Sequence, residues 1–284
     1  MLDSHAHIIA DDPARFPPAP PSGSLKPGEL DDPMTAERLL GEMDKAGVKR
    51  AVLVQRGSIY GFDNSYVCAS AARNPDRLTA VCSIDGTSEK ADEDVRRWVG
   101  DFGAAGIRFM ELIKGSSLSW LYSATALKAW RAAAELKTPA CVHFFPWNRT
   151  AGLQALKRIL DEIPDLTVVI DHFSNMNTEA GAPDYGLDQL LLDVAAFPGV
   201  HVKFTTVPLG RLHDAGIDAA PIVARVAQAF GAHRLMWGSD ITQSPGAYEY
   251  MVALGQRAVL SLSAEDRKSV FETSVAAVYG PGWR

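Results

Sequence analysis

Short apolar, β-branched runs recur along the chain, separated by longer stretches whose apolar positions repeat at helical spacing. Eight runs read as strands: Leu2–Ile8, Arg50–Gln55, Leu78–Ile84, Gly106–Ile113, Ala140–Phe145, Thr167–Asp171, His201–Thr206 and Arg234–Trp237. The stretches between and after them read as amphipathic helices: Thr35–Ala46, Asn64–Asn74, Glu89–Gly103, Ala124–Leu136, Ala151–Ile163, Leu187–Phe197, Ile217–Phe230 and Ala247–Leu260. A last helix over Ala264–Tyr279 starts at Ser263, an N-cap residue followed by the first-turn acids Glu265 and Asp266.

Strand–helix alternation at this spacing predicts a parallel sheet with right-handed crossovers. Eight such units favour a closed (β/α)8 TIM barrel over an open doubly wound sheet, and no glycine-rich phosphate loop follows the first strand. The glycines between Gly100 and Gly106 precede a strand instead of opening a helix, so they are not a dinucleotide fingerprint. The length of 284 residues suits one barrel domain spanning 1–284, since this fold takes about 250. The Pro- and Gly-rich segment Asp11–Pro33 reads as a long loop over the C-terminal end of the first strand, the edge on which such barrels build their sites.

Composition narrows the class without fixing the chemistry. The chain is 47% hydrophobic and 22% charged, with a net charge of -6. That acidic balance gives no footprint for nucleic acid. No run of about 18 uncharged apolar residues predicts a membrane span, and the first residues lack the basic and apolar regions of a secretion signal. Cys68, Cys82 and Cys141 form no CxxC pair and read as free thiols, which suits the cytoplasm. Monomer and homo-oligomer are both open.

Candidate chemistry collects at strand ends. His5 and His7 lie two apart on the first strand, so both side chains share one face. His143 ends the fifth strand, His172 follows the sixth, and Asp240 follows the eighth in Gly238-Ser239-Asp240. The remaining histidines, His201, His213 and His233, read as structural. Imidazole and carboxylate are the ligands a borderline cation such as Zn2+ prefers, and His172 or Asp240 can shuttle protons. Buried imidazoles can also serve as acid–base groups without an ion.

At these residues the chain resembles the amidohydrolase superfamily, specifically the amidohydrolase-2 group. The matching pieces are Asp3-Ser4-His5-Ala6-His7, His143, Asp171-His172 and Gly238-Ser239-Asp240, and the likeness runs from the first strand to the final helix. Val54-Gln55-Arg56-Gly57-Ser58-Ile59-Tyr60-Gly61-Phe62-Asp63-Asn64 and Phe16-Pro17-Pro18-Ala19-Pro20 resemble the pyrone-lactonase branch more than the decarboxylases of the same group. The resemblance implies a site holding one divalent metal, Zn2+, on His5, His7, His143 and Asp240, with His172 nearby. His143, His172 and Asp240 carry the catalytic roles. One departure stands out. Two-metal members place a bridging lysine or glutamate on the fourth strand, which here reads Gly106-Ile107-Arg108-Phe109-Met110-Glu111. Glu111 is the available bridge, but Arg108 holds the central position, so a mononuclear or metal-free site is expected.

Arg108 needs an anionic partner inside a barrel, either Asp85 at the end of the third strand or a substrate carboxylate. Arg56 and Arg149, in loops after the second and fifth strands, carry the same two readings. Tyr60 and Asn64 are candidate hydrogen-bond donors to substrate, Lys203 is a paired lysine or another anion contact, and Phe144, Trp147 and Trp237 are candidate walls. The expected activity is hydrolysis of a small carboxylated lactone such as a pyrone-dicarboxylate or muconolactone. Non-oxidative decarboxylation of an aromatic or muconate-type acid is the alternative within enzymes, and a ligand-binding barrel without turnover the alternative outside them. The expected partner is a small anionic metabolite.

Overall fold

In the computed structural model, which describes residues 1–280, the apolar runs become eight parallel strands joined in chain order. They are β1 (Leu2–Ala6), β2 (Arg50–Val54), β3 (Leu78–Ser83), β4 (Gly106–Met110), β5 (Ala140–His143), β6 (Val168–Ile170), β7 (Val200–Thr205) and β8 (Leu235–Gly238). Helices α1 (Ala36–Ala46), α2 (Gly57–Tyr60), α3 (Ser65–Arg73), α4 (Ala91–Arg96), α5 (Ala124–Glu135) and α6 (Arg149–Glu162) cover the first half. The second half carries α7 (Gln189–Ala195), α8 (Thr206–Asp214), α9 (Ala220–Phe230), α10 (Tyr248–Ala258), α11 (Ala264–Lys268) and α12 (Ser274–Tyr279). A π-turn over Ser269–Thr273 joins the last two helices.

The sheet closes through β1 and β8. The Asp240 amide donates to the His5 carbonyl at 2.7 Å, and the Ser239 amide donates to the buried Asp3 carboxylate at 2.9 Å. Asp3 also accepts from the His5 amide and the Tyr248 hydroxyl, both at 2.9 Å, so one acid ties the first strand to the last strand and to α10. Strand alternation sorts the apolar residues into two clusters. Val52, Val54, Val81, Cys141, Val169 and Met236 fill the barrel interior, plugged from below by Val275, Val278 and Tyr279 of α12. Ala51, Leu53, Ile107, Val142, Phe204 and Trp237 face outward into the layer shared with the helices.

Several boundaries differ from the hydrophobic pattern, and two of the differences bear on the site. The fourth strand ends at Met110 and does not run on to Ile113. A helix unread in the sequence, α8, follows β7 directly, with Thr205 at its N-cap position, in place of a loop. Residues 11–33 form no helix or strand, as their composition requires. Three aromatics pin this loop: Phe16 packs on Tyr66 at 4.9 Å, and the Tyr60 hydroxyl accepts from the Ala10 amide at 2.9 Å. Cys68, Cys82 and Cys141 are all buried and free. Among the described residues no helix is long and apolar enough to cross a membrane.

Candidate active site

At the C-terminal ends of the strands lies a cavity of about 240 Å3, lined by His7, Arg108, Met110, His143, Phe145, Pro146, His172, Asn175, Val207, Arg211, Asp240 and Gln243. Backbone geometry here is specialised. His172, Phe173, Ser174 and Asn175 all adopt positive φ, as does Asp240. For residues with a Cβ such a run costs free energy, and strain of this kind gathers at functional sites. Gly238 has its own requirement, because a Cβ there would lie 2.5 Å from the His5 Cβ. The glycine of Gly238-Ser239-Asp240 is thus needed to let β8 approach the first histidine.

His5 Nε2, His7 Nε2 and Asp240 Oδ1 form a triangle with edges of 3.2, 3.4 and 3.3 Å. The His7 tautomer is fixed by its outer nitrogen: Nδ1 donates to the Val54 carbonyl at 2.6 Å, which leaves a lone pair on Nε2. His5 Nδ1 sits 3.3 Å from Asp171 Oδ1 and 3.4 Å from Lys203 Nζ. With its proton on Nδ1, facing the Asp171 carboxylate, His5 keeps a second lone pair on Nε2. Asp240 Oδ1 is buried and accepts no hydrogen bond. Three lone-pair atoms then converge with no proton among them, an arrangement that suits a shared cation. Ligands about 2.0–2.1 Å from a tetrahedral zinc lie about 3.3–3.4 Å apart, so the donor set fits a divalent ion. Val54 and Asp171 supply the outer hydrogen bonds that orient metal-binding imidazoles.

Of the two parts expected of His143, catalytic group and metal ligand, the geometry bears on the second. Its Nδ1 lies 3.3 Å from Arg108 Nη2, a group that can only donate. The proton therefore resides on Nε2, which is buried without a partner. The structure leaves His143 outside both clusters of potential ligand atoms, His5–His7–Asp240 and His5–Asp171–His172. Burial, then the neighbouring His172 and Arg108, hold its imidazole well below the usual histidine range, so it is a neutral donor. The His172 ring lies between His5, tilted at 5.0 Å, and His143, edge-on at 4.9 Å, and its Nδ1 contacts the Thr205 hydroxyl at 2.6 Å. Burial lowers its pKa as well. Burial pushes the Asp240 carboxyl up, but His172, His7 and His5 outweigh it and hold the group below the ordinary carboxylate range.

Beneath the histidines lies a charge network that strand-end inspection did not reveal. Asp171 Oδ2 accepts from Arg108 Nε at 2.9 Å, and its Oδ1 lies 3.4 Å from Lys203 Nζ. All three side chains are nearly or wholly buried. Arg108 thus has its anion, and it is not Asp85, whose carboxylate accepts from Thr87. Lys203 is a paired lysine.

The other sequence candidates scatter. Arg56 pairs with Glu29 at 3.2 Å and donates to the Thr242 carbonyl at 3.4 Å, bridging the first and last rim loops outside the cavity lining. Arg149 pairs with Asp188. The amide of Asn64 is spent on the Ser83 backbone, accepting at 2.7 Å and donating at 3.1 Å, and the Tyr60 hydroxyl holds Ala10. Phe144 and Trp237 pack outward on Gly152 and Gly255, leaving Phe145 as the aromatic wall. Glu111 is no bridge, because four loop donors occupy it. Arg211 of α8 lines the cavity unforeseen; its helix was unread, so no sequence signal placed it there.

The amidohydrolase family profile matches residues 2–280. The L-fucono-1,5-lactonase of Burkholderia ambifaria is 28% identical over 252 residues, covering 84% of this chain and 79% of that protein. Among solved structures, a probable 2-pyrone-4,6-dicarboxylic acid hydrolase from Acinetobacter baumannii with citric acid bound superposes with a TM-score of 0.74 at 19% identity, over 98% of both chains. An amidohydrolase from Burkholderia multivorans with bound zinc gives a TM-score of 0.75, also at 19% identity over 98% of both chains. These two structures share the barrel.

Proposed function

The chain belongs to the amidohydrolase family, and from that premise we propose that it opens a small lactone by water attack directed from Asp240 and His143. One observation carries this reading. A buried base without a hydrogen bond, Asp240 Oδ1, and a buried donor without a partner, His143 Nε2–H, line the same cavity. Hydrolysis of a cyclic ester needs both, one to take a proton from water and one to receive the carbonyl oxygen.

Asp240 removes a proton from water as the water oxygen bonds to the carbonyl carbon. The carbonyl oxygen gains negative charge and accepts from His143 Nε2. When the ring C–O bond breaks, the leaving oxygen recovers the proton from Asp240, and the product is a hydroxy acid. His172, anchored on Thr205, fixes the His5 and His143 rings between which it lies. His5, His7 and Asp240 would hold a divalent ion, which would supply Lewis-acid polarisation and a more acidic water, and we propose zinc for it from the triangle and from the zinc in the Burkholderia multivorans structure.

The substrate we favour carries a carboxylate. Arg211 lines the cavity, donates to the neutral Asn175 side chain at 3.4 Å and forms no ion pair among the described residues. A second reading, a neutral sugar lactone, is supported by the commitment of Arg108 to Asp171 and by the substrate in the name of the Burkholderia ambifaria relative. Arg211→Met separates them. A charged hydrogen bond contributes about 1.5–3 kcal/mol, so a carboxylated lactone should lose roughly tenfold or more in kcat/KM while its methyl ester is spared. Equal losses on both, or rapid turnover of aldono-1,5-lactones alone, would select the neutral substrate.

A further inference from the structure

Glu111 stands just past β4, 4% exposed and outside the cavity lining. Its Oε1 accepts from the Gly115 amide at 3.0 Å and the Ser116 hydroxyl at 3.1 Å. Its Oε2 accepts from Trp147 Nε1 at 2.6 Å and Asn148 Nδ2 at 2.8 Å. The first pair belongs to the loop after β4 and the second to the loop after β5, so one carboxylate joins two adjacent rim loops. A carboxylate with all its donors in place is a strong tie, and a buried one that loses them is costly.

That tie reaches the cavity through one aromatic ring. Asn148, held by Glu111, accepts from the Phe145 amide at 2.8 Å. Trp147, also held by Glu111, stacks on Phe145 with 4.5 Å between centroids and 5° between planes. The Phe145 ring in turn lies 4.4 Å from the His143 ring and forms a cavity wall. Trp147 is 51% exposed, so burial does not fix it. Its bond to Glu111 and its stack on Phe145 do, with the Lys114 ammonium 4.6 Å from the ring centroid.

We propose that Glu111 is a specificity-determining positioning residue. It holds Phe145 as a flat wall beside His143, which limits the cavity to single-ring substrates without bulk on that side. Glu111→Gln puts an amide NH2 where one oxygen was, so two of the four donors lose their acceptor, and the wall loosens. The activity part of the test rests on the lactonase reading above; the other part does not.

The test compares folded wild type with Glu111→Gln, both confirmed by circular dichroism. Acrylamide quenching of the tryptophan fluorescence that Trp147→Phe removes reports on the indole directly, and it should rise in Glu111→Gln. In parallel, kcat/KM is measured for δ-valerolactone and for a phenyl-substituted δ-lactone. Their ratio should fall at least about fivefold, through KM more than kcat, the scale on which a pocket senses small changes in bulk. Unchanged quenching and an unchanged ratio would overturn the proposal. If wild type opens neither neutral lactone, the lactonase reading is left to the carboxylated and aldono-lactone comparison above, and the quenching result alone decides on Glu111. If Glu111→Gln does not fold, Glu111→Asp withdraws the carboxylate from the same four donors and carries the same two measurements.

Discussion

Asp240 combines a strained backbone, a φ of 54°, with a carboxylate whose Oδ1 is reserved from every hydrogen bond. Groups kept in that state at the cost of strain are poised for chemistry. General-base catalysis contributes about 10²–10⁴-fold, so Asp240→Asn should lower kcat by that much while the melting temperature holds. Because the facing histidines hold the carboxyl below its ordinary range, the base stays ionised as the pH falls, and the acid limb of kcat/KM attributable to it should lie below that range. A limb above pH 5 that disappears in Asp240→Asn would contradict the assignment. At this scale much was legible. His7, His143, His172 and Asp240 stand at strand ends and line one cavity, with His5 buried behind them against His7 and His172. What the sequence hid was the partner of each. Lys203 sits mid-strand, and for Arg108 the sequence leaves Asp85 and a substrate carboxylate both open; only the folded barrel brings both cations to Asp171.

At the scale of elements, the loops decide which candidates touch the cavity. Asn64, read as a substrate contact, closes the loop between β2 and α3 onto the end of β3 through Ser83. Removing a buried partner of this kind costs about 1–3 kcal/mol. Asn64→Ala should therefore lower the urea midpoint accordingly and leave KM within error. A large rise in KM without loss of stability would return Asn64 to the substrate. The strands were readable because period-two alternation fills both faces of a parallel barrel. Helix α8 was not, because Pro208 and Gly210 in its short span look like loop residues. Pro208 sits in the first turn, where its missing amide is harmless. Arg211 was lost with the helix that carries it.

Across the whole molecule, the buried charges Arg108, Asp171 and Lys203 sit inside the barrel, and an apolar layer lies between the strands and the helices. Histidines outside the site report on that burial. Burial holds the His201 pKa near about 4, against 6.5 for the free residue, with Arg234 and His233 adding to the effect. Between those values the unfolded chain binds the proton that the folded chain refuses, so stability falls as pH drops from about 6.5 toward 4. His201→Gln removes this term, and its urea midpoint should fall less than that of wild type across the same interval. Parallel curves would show that His201 titrates normally in the fold. Barrel closure itself, with β1 clasped to β8 through Asp3 and Ser239, was foreseeable from the count of strands but not from any one residue. The central claim is that water, activated by Asp240, opens a lactone at its carbonyl. Turnover in H2(18)O with mass spectrometry tests it most directly, on carboxylated lactones and aldono-1,5-lactones together. The expected product is the ring-opened hydroxy acid with one labelled oxygen in the new carboxylate and no carbon dioxide released; release of carbon dioxide from a carboxylated substrate, or label absent from the carboxylate, would contradict it.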